Sequence, residues 1–412
     1  MKSLTKDTLE NLTAEYGHSF YLLDSDVFEE NYKRLKSAFE KYYPNFNIAY
    51  SYKTNYTPKL VKIVNRLGGF AEVVSDMEAD IALKSGVGYK RIIWNGPVKN
   101  KGRVKEVLLK GGTVNIDSFS EFEFVRELAK ENPSVTINLG VRCNYEVGDG
   151  VISRFGVDVN SPEFEDILSG IKAGENIKLV NFQAHFAKRL PEYWTARAEG
   201  MLKIYDRALK EYGIKPERLD IGGGIFGDMP ETLREQLKVE KTCFEDYARR
   251  SAAMFSEHFK NVDNPPVLLV EPGTAIAANS MRYVCRIETI KNIRGKVIAS
   301  ANGSQKNISL SGLNPPMEVI KCGEKREYLE NVDIAGYTCI ESDYLYKGYS
   351  GELGVGDYLV FSNCGSYSLV MKPPFIFTNV PVIDISGAKP ELIKRAETFE
   401  DLFTTYNFDC LD

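Results

Sequence analysis

The sequence predicts an α/β fold, a (β/α)8 barrel of the TIM type followed by a C-terminal all-β domain. Three observations carry that prediction. Between about residues 47 and 271, eight short β-branched or aromatic runs alternate with longer helix-period segments. The first five runs recur about every 22 residues, the length of one strand, one helix and two short loops. After about residue 276 helix-period segments become rare, and short strands are separated by Gly, Asn and Pro turns. At 412 residues the chain is also too long for one ordinary core. The expected division is a barrel over 25–275 and a β-domain over 276–412, joined by 1–24.

The eight barrel runs are NIAYSY (47–52), FAEVV (70–74), RIIWN (91–95), TVNID (113–117), VTINLGV (135–141), KLVNFQA (178–184), RLDI (218–221) and VLLVE (267–271). The helices between them carry start and stop signals. Ser75-Asp76-Met77-Glu78 and Ser118-Phe119-Ser120-Glu121 read as capping boxes. Gly68-Gly69 and Gly111-Gly112 stand where helices should end. In the second domain YVCRIETI (283–290), KVIAS (296–300) and DYLVFSN (357–363) read as strands. SFYLLD (19–24) is a strand that either domain could take.

Composition excludes several functions. The net charge is −5 with both signs dispersed, so no basic patch invites nucleic acid. No apolar run reaches the length of a membrane helix. The polar start MKSLTKDTLE lacks a signal-peptide core, and the expected location is the cytoplasm. Seven scattered cysteines without a C-x-x-C pair argue against a disulfide framework or a structural zinc. Three histidines, His18, His185 and His258, are too few for a multi-histidine metal centre.

In a barrel, functional residues lie where strands end. The first strand ends at Lys53, where the edge of a core would desolvate the ammonium and free the amine as a Schiff-base nucleophile. The second run carries Glu72. The fifth ends at Arg142, the sixth at His185, the seventh at Gly222-Gly223-Gly224, and the eighth at Glu271-Pro272-Gly273. Each has a plainer reading. Lys53 could snorkel to water, His185 could be a satisfied core histidine, and Glu271 could pair structurally with Arg142. Gly222-Gly223-Gly224-Ile225-Phe226-Gly227 also matches G-x-G-x-x-G. The next helix, however, starts only near Pro230, too late for a dinucleotide fingerprint. Three glycines turning backbone N–H groups toward a phosphate is the better reading. Together, a lysine imine, a phosphate loop, an acid and an imidazole describe a site for pyridoxal 5′-phosphate. Glu271 would bond the pyridine nitrogen, and His185 would stack on the ring. The second domain adds two polar clusters, Gly336 to Asp343 with Cys339 and Glu341, and Asn363-Cys364-Gly365-Ser366-Tyr367.

On these motifs the chain resembles the barrel-type pyridoxal phosphate decarboxylases, the alanine-racemase-like fold group that includes diaminopimelate and ornithine decarboxylases. YSYKTN, GGF-AEVVSDMEAD, Arg142, SRFG (153–156), His185, LDIGGGIFG, EPG, GYTCIESD and NCGSY fall in the family's order over nearly the whole chain. The resemblance implies a homodimer with shared active sites, with Cys339 reaching the partner's site as the proton donor. It implies that Gly273 and Tyr367 help bind the cofactor and its phosphate. The carboxylate Glu271 favours decarboxylation over racemisation, because alanine racemases pair the ring nitrogen with an arginine. A racemase and a non-catalytic pyridoxal phosphate protein are the alternatives.

The departures concern the substrate. Thr274 follows EPG where diaminopimelate decarboxylases have arginine, and Gly312-Leu313-Asn314-Pro315-Pro316 lacks the arginine of their R-P segment. Ile340 stands where the family has an acid, with Glu341 one position on. Ala187-Lys188 replaces a glycine-serine pair, and KPPFIF (372–377) replaces an asparagine-bearing segment. The expected substrate is therefore an amino acid or amino-acid derivative other than diaminopimelate, free or carrier-bound. Arg154, Lys188, Lys372, Glu341 and Asp343 are the candidate selectors.

Overall fold

The architecture follows from strand alternation. A computed structural model describes residues 3–411 except 175, 311 and 324. The chain divides into two compact units. The first comprises Glu29–Asp228 and Thr242–Ile276. The second gathers the residues before Glu29, Met229–Lys241, and those from Ala277 onward.

The first unit is a closed barrel of eight parallel strands. They are Phe46–Ser51, Phe70–Val73, Ile92–Trp94, Thr113–Ile116, Ile137–Asn144, Ile177–Gln183, Arg218–Asp220 and Val267–Val270. Each pairs with the next, and the eighth returns to the first through Leu269 beside Asn47. All eight correspond to the runs read from the sequence. Because residues i and i+2 of a strand share a face, each strand puts a short stack of side chains into the barrel. Toward the strand starts these are apolar, with Ala49, Ile93 and Leu269 packing together against Phe70. Two residues on, the same face carries Ser51, Glu72, Asn95 and Glu271. The barrel thus has an apolar floor and a polar upper layer.

The helix signals are partly as expected. Ser75 Oγ accepts the Glu78 N–H and Ser118 Oγ accepts the Glu121 N–H. The reciprocal bonds differ from a capping box. Glu78 accepts from Val74 N at 2.7 Å and Glu121 from Asp117 N at 2.7 Å, one residue before the cap in each case. The longer reach ties each helix start to the end of the preceding strand. Gly68 and Gly111 close helices with φ of 80° and 85°, the left-handed region that favours glycine.

The second unit is built on a mixed nine-stranded sheet. The strand Phe20–Leu23 joins it, antiparallel to Met281–Ile293 and parallel to Val382–Asp384. This assigns the run SFYLLD to the β-unit. Its four residues are buried, Phe20 and Leu22 in a core with Leu9, Leu12, Val284 and Ile383. The helix Glu231–Leu237 lies in the stretch expected for the barrel but belongs to this unit. Gln236 holds it there, donating to Asn314 O at 2.9 Å and accepting from Asn314 N at 2.8 Å. Among the described residues no helix is long and apolar enough to cross a membrane.

Candidate active site

The polar layer at the barrel mouth converges on two carboxylates. Lys53 sits in the turn Tyr52–Thr54 that directly follows the first strand. Its ammonium pairs with the Glu72 carboxylate and donates to Ser51 Oγ at 3.0 Å. Ser51 also donates to Glu72. Glu72 is buried to 1% exposure, whereas a third of the Lys53 side chain stays open to the mouth. Burial works against the Glu72 charge, but Lys53 and the donors Ser51 and Asn95 outweigh it and hold the group below the usual range.

Asn95 joins Glu72 to Glu271. Its Nδ2 donates to Glu72 Oε1 at 3.0 Å and to Glu271 Oε1 at 2.5 Å. Gln183 Nε2 donates to Glu271 Oε2 at 3.1 Å. Behind them Asn115 donates to Asn95 Oδ1 and Asn181 to Asn115 Oδ1. Such a connected chain fixes rotamers that single bonds would leave free. Arg142 is not the partner of Glu271. Its nearest acid is Asp117 at 3.7 Å, and its guanidinium lies 4.6 Å from the centroid of the Phe155 ring. The expected alternative, a structural Arg142–Glu271 pair, is therefore not formed.

Glu271 is held well above the ordinary carboxylate range by burial, then by the negative neighbours Asp220 and Glu72. Asp220, fully buried, is pushed up to about 7, mainly by burial. His185 is the converse case. Its Nδ1 accepts the Gly223 N–H at 3.0 Å and lies 3.9 Å from Glu271 Oε2. Desolvation beneath the ring, then the charges of Lys53, Arg197, Arg142 and Arg189, pushes it well below its usual range. The imidazole is neutral, with its proton on Nε2.

The glycines have steric reasons. Gly222 and Gly224 take φ of 74° and 86°. A Cβ on Gly222 would come within 2.9 Å of His185 Nδ1, and one on Gly223 would strike the Glu271 carbonyl. A Cβ on Gly273 would strike the Thr54 side chain, which gives Gly273 a packing role beneath the Lys53 turn. The mouth therefore offers an amine, a buried carboxyl, a neutral imidazole and a tight backbone cradle. Asp220 Oδ2 and Gln183 Oε1 lie buried without a hydrogen-bond partner.

In the second unit Cys339 and Glu341 are exposed on the loop between Glu327–Ala335 and Tyr344–Leu353. Asp343 departs from the expected selector role. It is buried, and its carboxylate accepts from Ser304 Oγ, Gln305 N, Thr338 N and Thr338 Oγ1 at 2.6–3.2 Å. With both oxygens engaged it shapes the loop that presents Cys339. Lys372 is likewise buried, donating to Asn379 Oδ1 at 2.9 Å, and burial lowers its ammonium to about 8. Arg154 and Lys188 are exposed, Arg154 stacked 4.0 Å from the Phe155 centroid. Tyr367 is half-buried with a φ of 63°, a strained value for a tyrosine.

Asn95, Asn115, Asn181, Gln183, Asp220 and Arg197 were not singled out from the sequence. The signal for five of them was present. Each lies within two residues of the end of an apolar strand, where an uncharged core would carry Val or Ile.

The amine of Lys53, the carboxyl of Glu271, the imidazole of His185 and the glycine loop at this mouth fit pyridoxal phosphate. Residues 27–278 match the family described as pyridoxal-dependent decarboxylase, pyridoxal binding domain. The chain belongs to that family, and its cofactor is pyridoxal phosphate. A diaminopimelate decarboxylase of Methanothermobacter thermautotrophicus is 26% identical, covering 96% of this chain and 93% of its own. An L-glutamyl-[BtrI acyl-carrier protein] decarboxylase of Niallia circulans is 25% identical, over 98% of this chain and 97% of its own. In fold, the crystal structure of diaminopimelate decarboxylase from M. jannaschii superposes with a TM-score of 0.84 at 24% identity, covering 96% and 94% of the two chains. The chain is a pyridoxal-phosphate-dependent decarboxylase.

Proposed function

We propose that this enzyme decarboxylates an amino acid or a carrier-bound aminoacyl group other than free diaminopimelate, as a homodimer with shared active sites. When bound, pyridoxal phosphate supplies an electron-accepting ring to which the substrate's departing carboxylate leaves its electrons. The protein's part is to anchor, orient and move protons. Lys53 is the covalent anchor. Its side chain is held at the mouth by Glu72, which pairs with it and with Ser51. Glu271 faces the ring nitrogen as its hydrogen-bond partner, aimed by Asn95 and Gln183. The neutral His185 covers one ring face without adding positive charge. The Gly224 N–H and Tyr367 take the phosphate, the Gly222 and Gly223 N–H groups being engaged by Asp220 and His185. Cys339, exposed on its loop, donates the proton that replaces carbon dioxide in the partner's site.

The observation that carries the reading is the Lys53–Glu72–Asn95–Glu271 chain, which joins the anchoring amine to a buried carboxyl within one connected network. The choice of substrate rests on Thr274 and on Gly312-Leu313-Asn314-Pro315-Pro316, which supply no arginine for a far carboxylate. Arg154 and Glu341 remain exposed for substrate selection. The carrier-protein substrate named for the Niallia circulans relative supports a bound aminoacyl group. A carbon dioxide release screen over free amino acids and their thioesters tests this. Release from a thioester or an uncommon amino acid is expected. Diaminopimelate as the best substrate would overturn it.

A further inference from the structure

Arg197 lies in the middle of the helix Glu192–Arg207, yet its side chain is fully buried. Its Nη1 donates to Gly223 O at 2.7 Å, and its Nη2 donates to Lys188 O. These carbonyls belong to the loops that follow the sixth and seventh barrel strands. The guanidinium rests 4.8 Å from the Trp194 ring and 5.3 Å from that of Phe186. Among the described residues no carboxylate forms an ion pair with it, and its Nε is buried without a partner. Burial pulls the guanidinium down to about 10, with Tyr145, Tyr247 and Asp149 opposing.

A buried cation without a counter-ion is costly unless something supplies the missing charge. The position of this one says what that would be. A Cβ on Gly224 would lie 3.6 Å from Arg197 Nη2. The guanidinium therefore lies beside Gly224, together with the Arg189 side chain. Tyr247 completes the frame, accepting the Phe226 N–H at 3.2 Å and donating to Arg189 O at 3.1 Å. It packs on Trp194 with ring centroids 5.2 Å apart.

We propose that Arg197 is the positioning residue of the phosphate subsite. Drawing the Gly223 and Lys188 carbonyls away from the mouth leaves the Gly224 N–H for an anion, the Gly222 and Gly223 N–H groups being held by Asp220 and His185, and its unpaired charge is completed when a phosphate dianion sits against Gly224. This rests on the cofactor reading above.

The test compares pyridoxal phosphate with pyridoxal, which lacks the phosphate. Both are titrated by absorbance into the full-length wild-type apoprotein and into Arg197→Met and Arg197→Gln. Losing a buried charge-assisted clamp should weaken pyridoxal phosphate about 10- to 100-fold. Pyridoxal affinity should move by less than about threefold, since it makes no use of the cradle. Inorganic phosphate should raise the wild-type melting temperature and leave that of the variants unchanged. If Arg197→Met does not fold, Arg197→Gln, which keeps one donor for Gly223 O, decides the matter. A parallel loss for both ligands, or unchanged preference for the phosphorylated one, would overturn the proposal. Failure of the wild type itself to bind pyridoxal phosphate would instead sink the cofactor reading.

Discussion

Asp220→Asn should make the apoprotein more stable at alkaline pH, although it removes a charge from the heart of the site. Asp220 Oδ1 accepts the Gly222 N–H at 2.9 Å, while Oδ2 is buried without a partner. The carboxyl rises from an ordinary 3.8 to about 7, first through burial and then through the charge of Glu72. Between about pH 4 and pH 7 the folded chain keeps a proton that the unfolded chain has released. Stability is therefore complete below that window and falls as pH rises through it. The gap corresponds to about 4 kcal/mol at pH 8. Asparagine keeps the acceptor for Gly222 and turns a neutral donor where Oδ2 stood. Urea denaturation of both apoproteins at pH 4.5 and pH 8 measures the effect. The variant should gain up to about 4 kcal/mol at pH 8 and about 1 kcal/mol or less at pH 4.5. A residual slope from Glu271, also raised, should persist in both. Equal slopes, or a variant less stable at pH 8, would refute the assignment of Asp220 as a strained carboxyl.

Two further outcomes follow from the geometry. Gly223→Ala should cost about 1–3 kcal/mol of stability and abolish tight cofactor binding, because its Cβ meets the Glu271 carbonyl; cofactor titration with thermal melts checks both, and a fully loaded variant would contradict the cradle. Cys339→Ala should slow or misdirect the protonation that follows carbon dioxide loss, read as altered deuterium placement in product formed in heavy water; unchanged turnover and stereochemistry would remove its role.

The fold was legible because each barrel strand is a compact apolar run and the runs recur at the length of a βα unit. The site was only half legible. Lys53, His185, the three glycines and Glu271 stand at strand ends, where residue type betrays function. Glu72 was visible, but its pairing with Lys53 depends on two adjacent strands holding Ser51 beside Glu72 in register. Asn95, Asn115 and Gln183 look like minor interruptions in apolar runs. Their meaning appears only when closure of the barrel turns these inward positions toward one another. Arg197 gave no signal, since an arginine in a polar helix is ordinarily solvated. Asp343 misled because a loop carboxylate looks reactive until its four donors are seen.

The central claim is that Lys53 is the anchor of pyridoxal phosphate. Borohydride reduction of the cofactor-loaded enzyme followed by peptide mass mapping tests it most directly. A phosphopyridoxyl group on Lys53, and none on the Lys53→Ala protein, is expected. Labelling of another lysine, or of none in the loaded wild type, would contradict it.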